Sequence, residues 1–302
     1  MFRPKENIEL LSQNQIGVLY MVASVICFSI MDICVKWLDY YPVGQVLFLR
    51  FFIGFVPIFF IIPKKEITSF YKTSRPGLHA FRATTGALAI IALFYGLREL
   101  PLADVISLTF GGPIFVTIAS IFFLSEKVGI KRWSAVFLGF IGMLLIIQPV
   151  FVDLNYFYIS PIIFCIFFAC VAISVRSLSK TEANYTIAFY FTFLCTIIGL
   201  CSIFFVDWIM PTKIDFLIFV VLGLCGSIGN LLLTQSYRLA EASLVTPIKY
   251  LSLVFAIFFG FFIWSEIPKA LTLIGTVLVI LSSLIIFVRE TQLKKKIITP
   301  RS

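Results

Sequence analysis

Charged residues are scarce in this sequence: they make up 13% of the chain, whereas soluble domains average about a quarter. Hydrophobic residues account for 60%, and the mean hydropathy is +1.05. The 35 Phe residues, many of them beside Ile and Leu, suit a surface that faces lipid. This composition excludes an ordinary soluble globular domain and predicts an integral membrane protein.

Histidine and paired cysteines are also nearly absent. The chain has 1 His, and its 7 Cys all lie in apolar stretches without a CxxC pair. We therefore expect buried Cys side chains that act as small hydrophobic groups, with no metal, no cofactor and no disulfide framework.

Sequence features of enzymes are missing as well. Membrane-embedded transferases need a base or a metal site, usually built from His and clustered carboxylates. His79 has no acidic partner close in sequence, and there is no Gly-rich phosphate loop or nucleophile elbow. These absences argue against an enzyme. The chain also contains no nucleotide-binding domain, so it does not itself use ATP.

Long apolar runs are what the sequence contains instead. A helix needs about 20 apolar residues to cross a bilayer. With that window the sequence predicts ten spans, at residues 16–37, 43–62, 77–97, 102–124, 133–150, 156–176, 185–206, 216–237, 244–264 and 270–288. The first run contains Asp32 and is interpreted as a permanent span, not a cleavable signal. The predicted fold class is an all-α integral membrane protein with ten transmembrane helices.

The distribution of Lys and Arg predicts how the chain is oriented. With the N-terminus inside, 17 of the 24 basic residues fall in inner loops and tails, and three more lie within spans. The four on the outer side are Lys36, Arg98, Lys213 and Lys269. This bias predicts that both termini are cytoplasmic and that the net charge of +9 reflects topology, not nucleic-acid binding.

The two halves of the sequence match each other at a fixed offset of 140 residues. The matching pairs include Lys36 with Arg176, Gly86 with Gly226, Arg98 with Arg238, Phe115 with Phe255 and Glu126 with Glu266. Five spans per half would place the second copy upside down in the bilayer, a plan that recurs in secondary transporters. The predicted domains are a cytoplasmic segment 1–15, a first repeat 16–150, a second repeat 156–288 and a basic cytoplasmic tail 289–302.

Four charged residues lie inside apolar runs, where a charge costs at least ~2.5 kcal/mol and usually faces a polar cavity or a partner. Asp32 is a candidate, although it could instead pair with Lys36 one turn later. Arg50 lies about two turns into its span and is predicted to line or brace a cavity. Arg82 is nearer its helix end and could snorkel to the interface. Lys249 accompanies a Pro and several polar residues.

Two stretches at matching places in the halves are predicted to bend or open, because Pro and Gly weaken a helix. They are residues 105–113 and 245–252. Irregular helices at equivalent places are a pointer to a transport site, although a kink could serve packing alone. The candidate substrate contacts in them are Thr109, Phe110, Thr246, Lys249 and Tyr250. Asn230 and Gln235 are added because unpaired amides in lipid are costly.

Several short motifs resemble the EamA repeat of the drug/metabolite transporter superfamily. In the first half they are Ser74-Arg75-Pro76 with His79 and Arg82, Pro101-Leu102-Ala103-Asp104, and Leu124-Ser125-Glu126-Lys127. In the second half they are Tyr237-Arg238-Leu239-Ala240 and Trp264-Ser265-Glu266. The run from Ser74 to Arg82 also resembles a subgroup that includes rickettsial S-adenosylmethionine transporters.

The resemblance covers about residues 15–290 and implies two inverted five-helix repeats around a central cavity, with spans five and ten at the periphery. It implies a secondary transporter of the bacterial cytoplasmic (inner) membrane that works by alternating access. Many relatives carry an acidic residue where Lys249 stands, which makes a cationic substrate doubtful. S-adenosylmethionine or a related nucleoside metabolite is the alternative substrate, and a drug exporter or a channel is disfavoured.

The buried charges indicate what this chain would carry. Three buried basic residues against one buried Asp favour a small, amino-acid-like metabolite with at least one anionic group, and a zwitterion would satisfy both signs. The expected partners are this small molecule and membrane lipid, with no nucleic acid. A homodimer is left open.

Overall fold

A computed structural model of the chain describes residues 13–62, 66, 70–124, 129–147, 155–179, 181–240 and 245–298. Within these residues the secondary structure is helical, and no β-strand occurs. In lipid, a helix satisfies all of its backbone hydrogen bonds internally, so apolar runs of this length form helices.

Eleven α-helices occur in the described part of the chain: α1 (Gln13–Trp37), α2 (Val43–Phe59), α3 (Pro76–Glu99), α4 (Leu102–Thr109), α5 (Gly112–Leu124), α6 (Ile130–Ile147), α7 (Ile159–Leu178), α8 (Asn184–Cys201), α9 (Lys213–Leu239), α10 (Leu251–Trp264) and α11 (Ala270–Ile298). Three short 3-10 turns accompany them, at Tyr156–Tyr158, Ser202–Phe204 and Thr246–Tyr250.

Proline and threonine determine where several helices begin. Pro76 is the first residue of α3, and Pro42 and Pro101 directly precede α2 and α4. Proline is tolerated there because the first amides of a helix have no partner within it. At the start of α9, the Thr212 hydroxyl accepts a hydrogen bond from the Asp215 amide at 3.2 Å.

Seven described segments are long and apolar enough to cross a membrane, judged by length and composition. They are Gln15–Trp37, Pro76–Glu99, Leu102–Ala119, Tyr156–Val175, Asn184–Phe204, Lys213–Leu239 and Ala270–Val288. Three shorter apolar helices are Val43–Phe59, Trp133–Ile147 and Ile248–Trp264. All ten fall within the ten predicted spans or overlap them, but three have fewer than 18 residues.

Both stretches that were predicted to be irregular are broken. Helices α4 and α5 form one membrane-length segment that is interrupted at Phe110 and Gly111, just before Pro113. The equivalent stretch of the second half, Thr246–Tyr250, contains Pro247 and forms a 3-10 turn that leads into α10. The prediction of a break in each half is confirmed, because Pro and Gly remove or weaken helical hydrogen bonds at these places.

The contacts between helices are preserved when each helix is exchanged for its counterpart in the other half. Helix α1 packs on α9, and its counterpart α7 packs on α3. Helix α2 packs on α9 as α8 packs on α3, and α5 on α7 as α10 on α1. The remaining major pairs, α2 with α8, α4 with α10 and α6 with α11, join equivalent helices to each other.

Helices α6 and α11 approach each other closely at the edge of the bundle. A Cβ atom added to Gly142 would lie 2.6 Å from the carbonyl oxygen of Gly275, and one added to Gly275 would lie 2.5 Å from that of Gly142. Only glycine permits this backbone contact. The pair also touches α4 and α5, and leaves α1–α3 and α7–α9 to form the centre.

Candidate functional site

The main cavity of the described structure has a volume of about 350 Å³ and lies between α2 and α3 of the first half and α7, α8 and α9 of the second. Its polar lining consists of Arg50, Arg82, Asn184, Tyr185, Thr192, Ser227, Asn230, Thr234, Gln235 and Arg238. Among the described lining residues there is no Asp or Glu, so the cavity carries only positive formal charge.

Arg50 is at the deep end of this cavity. It lies nine residues before the end of α2 at Phe59, or about 14 Å along the helix, close to half of a ~30 Å hydrocarbon core. Its side chain is 9% exposed, and its Nε and Nη1 atoms are buried without a hydrogen-bond partner. The guanidinium lies 4.7 Å from the ring centre of Phe51 and 5.6 Å from that of Phe94. The two aromatic rings pack against the charged guanidinium but do not accept hydrogen bonds from its Nε and Nη1 atoms.

Gly226 on α9 provides the space that Arg50 occupies. A Cβ atom at Gly226 would lie 3.0 Å from Nε and 3.3 Å from Nη2 of Arg50, and 3.2 Å from the sulfur of Met31. The absence of a side chain therefore lets the guanidinium lie directly against the backbone of the second half.

Arg82 is the second buried cation of the cavity. Its guanidinium lies 3.6 Å from the ring centre of Phe191, and its Nε and Nη1 atoms are also buried without a partner. The side chain is 9% exposed and lies along the cavity, although its position six residues into α3 would have suited snorkelling. Desolvated cation–π contacts are worth up to about 2 kcal/mol, but they do not replace hydrogen bonds to an anion.

The two arginines flank an aromatic pair. Phe51 and Phe191 are 140 residues apart, and their rings meet edge to face at 5.1 Å. The residue before Phe191 is Tyr190, so Arg50 has no cationic counterpart in the second half. The two buried cations thus come from the first half alone. The site is therefore chemically asymmetric, although the helix contacts of the two halves are equivalent.

The second half supplies neutral polar groups to the opposite wall. Asn230 lies nine residues before the end of α9 at Leu239 and is therefore at about the same depth as Arg50. Gln235 lies nearer the helix end, and both side chains are exposed and line the cavity. An anionic group at the arginines and a neutral hydrogen-bonding group at the amides would fit the two walls.

The mouth of the cavity lies at one end of the bundle. Asn184, Gln235 and Arg238 line it and are exposed. At this end α2, α7 and α9 finish and α3 and α8 begin; we call it the basic end, because the loops assigned to this side carry most of the Lys and Arg residues.

At the opposite end the two halves are joined by a partly buried ion pair. Lys36, at the end of α1, forms a salt bridge with Glu266 and donates a hydrogen bond to the carbonyl of Leu100 at 2.6 Å. Glu266 also accepts from the amide of Leu102 at 2.8 Å. These contacts tie α1 and the α3–α4 corner to the loop after α10.

Further hydrogen bonds close the same end. Arg98 donates to the carbonyl of Tyr41, whose hydroxyl donates to the Asp215 carboxylate at 3.0 Å. The Gln45 amide donates to the carbonyl of Ile209 at 2.6 Å and accepts from its N–H at 3.0 Å. The cavity is therefore open towards the basic end and closed at the other.

The two broken helices meet outside this cavity. The rings of Phe110 and Tyr250 are 4.9 Å apart. Helices α4 and α5 pack on α11, and the Tyr250 hydroxyl donates to the carbonyl of Ile280 on α11 at 3.4 Å. Ser283 donates to the Phe110 carbonyl at 2.7 Å, and Thr109 donates to the carbonyl of Ile106 at 2.7 Å, so the freed groups have partners within the protein.

Lys249 also lies outside the cavity, with its ammonium group 5.6 Å from the ring centre of Tyr237. The side chain of Thr246 lies outside the described residues. Of the predicted substrate contacts, the structure brings Arg50, Arg82, Asn230 and Gln235 together in the main cavity. It places Thr109, Phe110, Lys249 and Tyr250 elsewhere.

Asp32 lines a second, much smaller pocket. The ion pair with Lys36 that was considered for it does not form, because Lys36 is engaged with Glu266. Its Oδ1 atom is buried without a partner, as is the hydroxyl of Ser29 in the same pocket. Arg50 is close enough to interact with the Asp32 carboxylate electrostatically.

Several cavity residues were not among the predicted contacts. Asn184 and Arg238 lie one residue outside the predicted spans 185–206 and 216–237. Phe191 and Thr192 are hidden in an apolar run of α8. The 140-residue offset contains a signal for Phe191, since it matches the Phe that follows Arg50.

The model of the EamA-like transporter family matches residues 15–148 and again residues 156–288. A solved crystal structure superposes with a TM-score of 0.64 at 14% identity, covering 92% of this chain and 98% of that one, which shows a shared fold.

Curated relatives are transporters of different small molecules. The chain is 27% identical over 271 residues to a pseudopaline exporter of Pseudomonas aeruginosa, covering 88% of this chain and 94% of the relative. It is 27% identical over 290 residues to an S-adenosylmethionine uptake transporter of Rickettsia bellii, covering 95% and 99%. It is 26% identical over 289 residues to a riboflavin transporter of Rhizobium johnstonii, covering 94% and 95%. Because two family matches cover nearly the whole chain, this multi-pass membrane protein belongs to the EamA-like transporter family.

Proposed function

We propose that this protein is a secondary transporter that carries a small, amino-acid-like metabolite with at least one anionic group. The observation that carries the proposal is the cavity of about 350 Å³ lined by Arg50 and Arg82, two buried arginines whose Nε and Nη1 atoms have no hydrogen-bond partner. Ligand pockets generally have volumes of about 300–1,000 Å³, so a metabolite fits.

The missing hydrogen-bond partners of the two guanidinium groups carry a cost in free energy. A charge at this depth costs at least ~2.5 kcal/mol, and a buried donor without a partner adds about 1–3 kcal/mol. A carboxylate placed between Arg50 and Arg82 would accept charge-assisted hydrogen bonds from both and relieve this cost. The free cavity is therefore a high-energy state that an anionic substrate stabilises.

The proposed architecture is ten transmembrane helices in two inverted five-helix repeats, with both termini cytoplasmic. Support comes from the positive charge bias of the loops and from helix contacts that are preserved when the halves are exchanged. In that orientation the basic end faces the cytoplasm and the described conformation is open inward. Alternating access would then require the contacts around Lys36 to break and the basic end to close. The membrane would be the bacterial cytoplasmic membrane.

S-adenosylmethionine or a related nucleoside metabolite is the second candidate substrate, favoured by the named rickettsial relative. Its amino-acid carboxylate suits the two arginines. Its sulfonium, however, would find no acidic partner among the described lining residues. A zwitterion or an anion therefore fits the described cavity better than a cation. The expected partners are the surrounding lipid and, as one possible assembly, a second copy of the chain. No nucleic acid is expected.

A thermal-shift screen of the full-length protein in detergent tests this proposal. The panel would contain S-adenosylmethionine, glutamate and other amino acids, and dicarboxylates, since a ligand of the folded state raises the unfolding temperature. We expect a hit with an anionic group, and loss of its shift in Arg50→Gln and in Arg82→Gln.

The matched control is Arg75→Gln, which removes an exposed guanidinium at the basic end that bonds Ser177 at 3.4 Å and does not line the cavity. It should keep the shift. A ligand that stabilises both cavity variants as well as the native protein would place the binding site elsewhere.

A further inference from the structure

A buried carboxyl group lies next to the substrate cavity but outside it. Asp32 on α1 is 7% exposed, and Ser29, three residues earlier on the same helix face, is 6% exposed. Both line a pocket closed by α4 and α10. Neither Asp32 Oδ1 nor Ser29 Oγ has a hydrogen-bond partner. Buried polar atoms are nearly always paired, so two unpaired atoms in one pocket indicate a missing occupant.

The size of the pocket restricts what the occupant is. It leaves no room for a particle the size of a water molecule. Sodium, magnesium and calcium need several oxygen ligands and space around them. No group of three or more His, Cys, Asp or Glu that could hold a metal occurs in the described residues. A proton requires no space and converts a carboxylate oxygen into a donor.

Few described groups interact electrostatically with Asp32. Arg50 on α2 interacts with it, and so does the Cys34 thiol on α1, which in turn adjoins Cys225 on α9. The faces of α4 and α10 contribute apolar residues and the hydroxyl of Ser252, which donates to the carbonyl of Lys249 at 2.8 Å. Arg50 is thus the cation that Asp32 and the substrate site share.

Sharing one cation makes the two sites interdependent. When Asp32 is ionised, its negative charge offsets part of the positive potential at Arg50 and weakens the attraction for an anion. When Asp32 carries a proton, Arg50 acts on the anion with its full charge. Linkage is reciprocal, so a bound anion also strengthens proton binding at Asp32.

We infer that Asp32 is the coupling site of the transporter. It takes up a proton together with the anionic group that binds Arg50, so that proton and substrate cross the membrane in the same direction. The pocket is closed in this conformation, so the proton is taken up and released in conformations in which α1, α4 and α10 separate, one of them open to each side of the membrane. This inference rests on the proposed function, because it assigns a coupling role to the same cavity.

The test needs no substrate. Infrared absorption of protonated carboxyl groups is recorded against pH for the full-length protein in detergent. We expect a band that titrates in the native protein, is lost in Asp32→Asn and persists in Asp32→Glu. Asp104→Asn is the control, because Asp104 is a buried carboxylate that accepts a hydrogen bond from Tyr158. It should leave the Asp32 band in place.

Arg50→Gln provides the second arm. Without the cation, Asp32 should hold its proton to higher pH, with an affinity roughly 5- to 150-fold greater, the usual range for coupled sites. The inference is overturned if no titrating band depends on Asp32 or if Arg50→Gln leaves the titration unchanged. Failure of the proposed function is seen separately, as cavity variants that bind S-adenosylmethionine and glutamate no differently from the native protein.

Discussion

Replacing Gly226 with Ala tests whether the position of Arg50, and not only its charge, matters for binding. The added Cβ would lie 3.0 Å from Nε and 3.3 Å from Nη2 of Arg50, tighter than nine in ten real Cβ contacts. The guanidinium is the flexible partner, so it should move by a few tenths of an ångström or more. No charge is lost.

Gly226→Ala should change ligand affinity much more than it changes the free energy of unfolding. Crowding costs about 1–3 kcal/mol in a packed site, but Ala is favoured over Gly within a helix by about 1 kcal/mol. The net change in unfolding free energy should therefore be small. Losing one charge-assisted hydrogen bond to the substrate costs about 1.5–3 kcal/mol, or roughly 10- to 150-fold in affinity.

The matched control is Gly54→Ala. Gly54 lines the same cavity, but a Cβ there would meet its nearest neighbour, the Gly223 carbonyl oxygen, at an ordinary 3.5 Å. Ligand affinity is measured by isothermal titration and stability by thermal unfolding, on both variants. Affinity should fall for Gly226→Ala alone. Equal affinities in the two variants would refute the idea that Arg50 must lie against α9 in order to bind.

Three further outcomes follow from the contacts. Glu266→Gln should leave the buried Lys36 without its counter-charge, lower stability by about 1–3 kcal/mol, and increase labelling of a cysteine placed at the buried Val43 in a chain without its native Cys; unchanged labelling would mean that this ion pair does not close the end. Phe191→Leu should remove the ring 3.6 Å from Arg82 without affecting membrane insertion. Isothermal titration should show ligand binding weakened by roughly 2- to 30-fold, and an unchanged affinity would contradict a role for the ring. Gly275→Ala should disrupt the α6–α11 contact, where the Cβ would lie 2.5 Å from a backbone oxygen, and lower the unfolding temperature while retaining ligand affinity; reduced affinity at full stability would contradict it.

Local patterns in the sequence were sufficient for several features. Arg50, Asn230 and Gln235 are polar residues in apolar runs, and lipid tolerates such groups poorly, so their place in a cavity could be anticipated. Pro113 and Pro247 likewise predicted the two helix breaks, since proline removes a backbone donor wherever it occurs.

Other features depend on partners that are distant in the chain. Lys36 pairs with Glu266, 230 residues away, and nothing in the local spacing favours that carboxylate over Asp32. Phe110 and Tyr250 do meet, but whether they face a cavity or α11 depends on how α11 returns to the bundle. Arg238 lies just after an apolar run, and this position in the sequence is the same whether its side chain faces water or a cavity. Such choices are made by packing, not by the local sequence.

The proposed transport requires that one substrate anion binds between Arg50 and Arg82 and is carried across the membrane. Counterflow measures this directly, with the full-length protein in liposomes preloaded with unlabelled ligand from the thermal-shift screen and radiolabelled ligand added outside. We expect saturable counterflow in the native protein and in Arg75→Gln, and its loss in the combined Arg50→Gln and Arg82→Gln variant. Flux that rises linearly with concentration, or that survives in the combined variant, would contradict it.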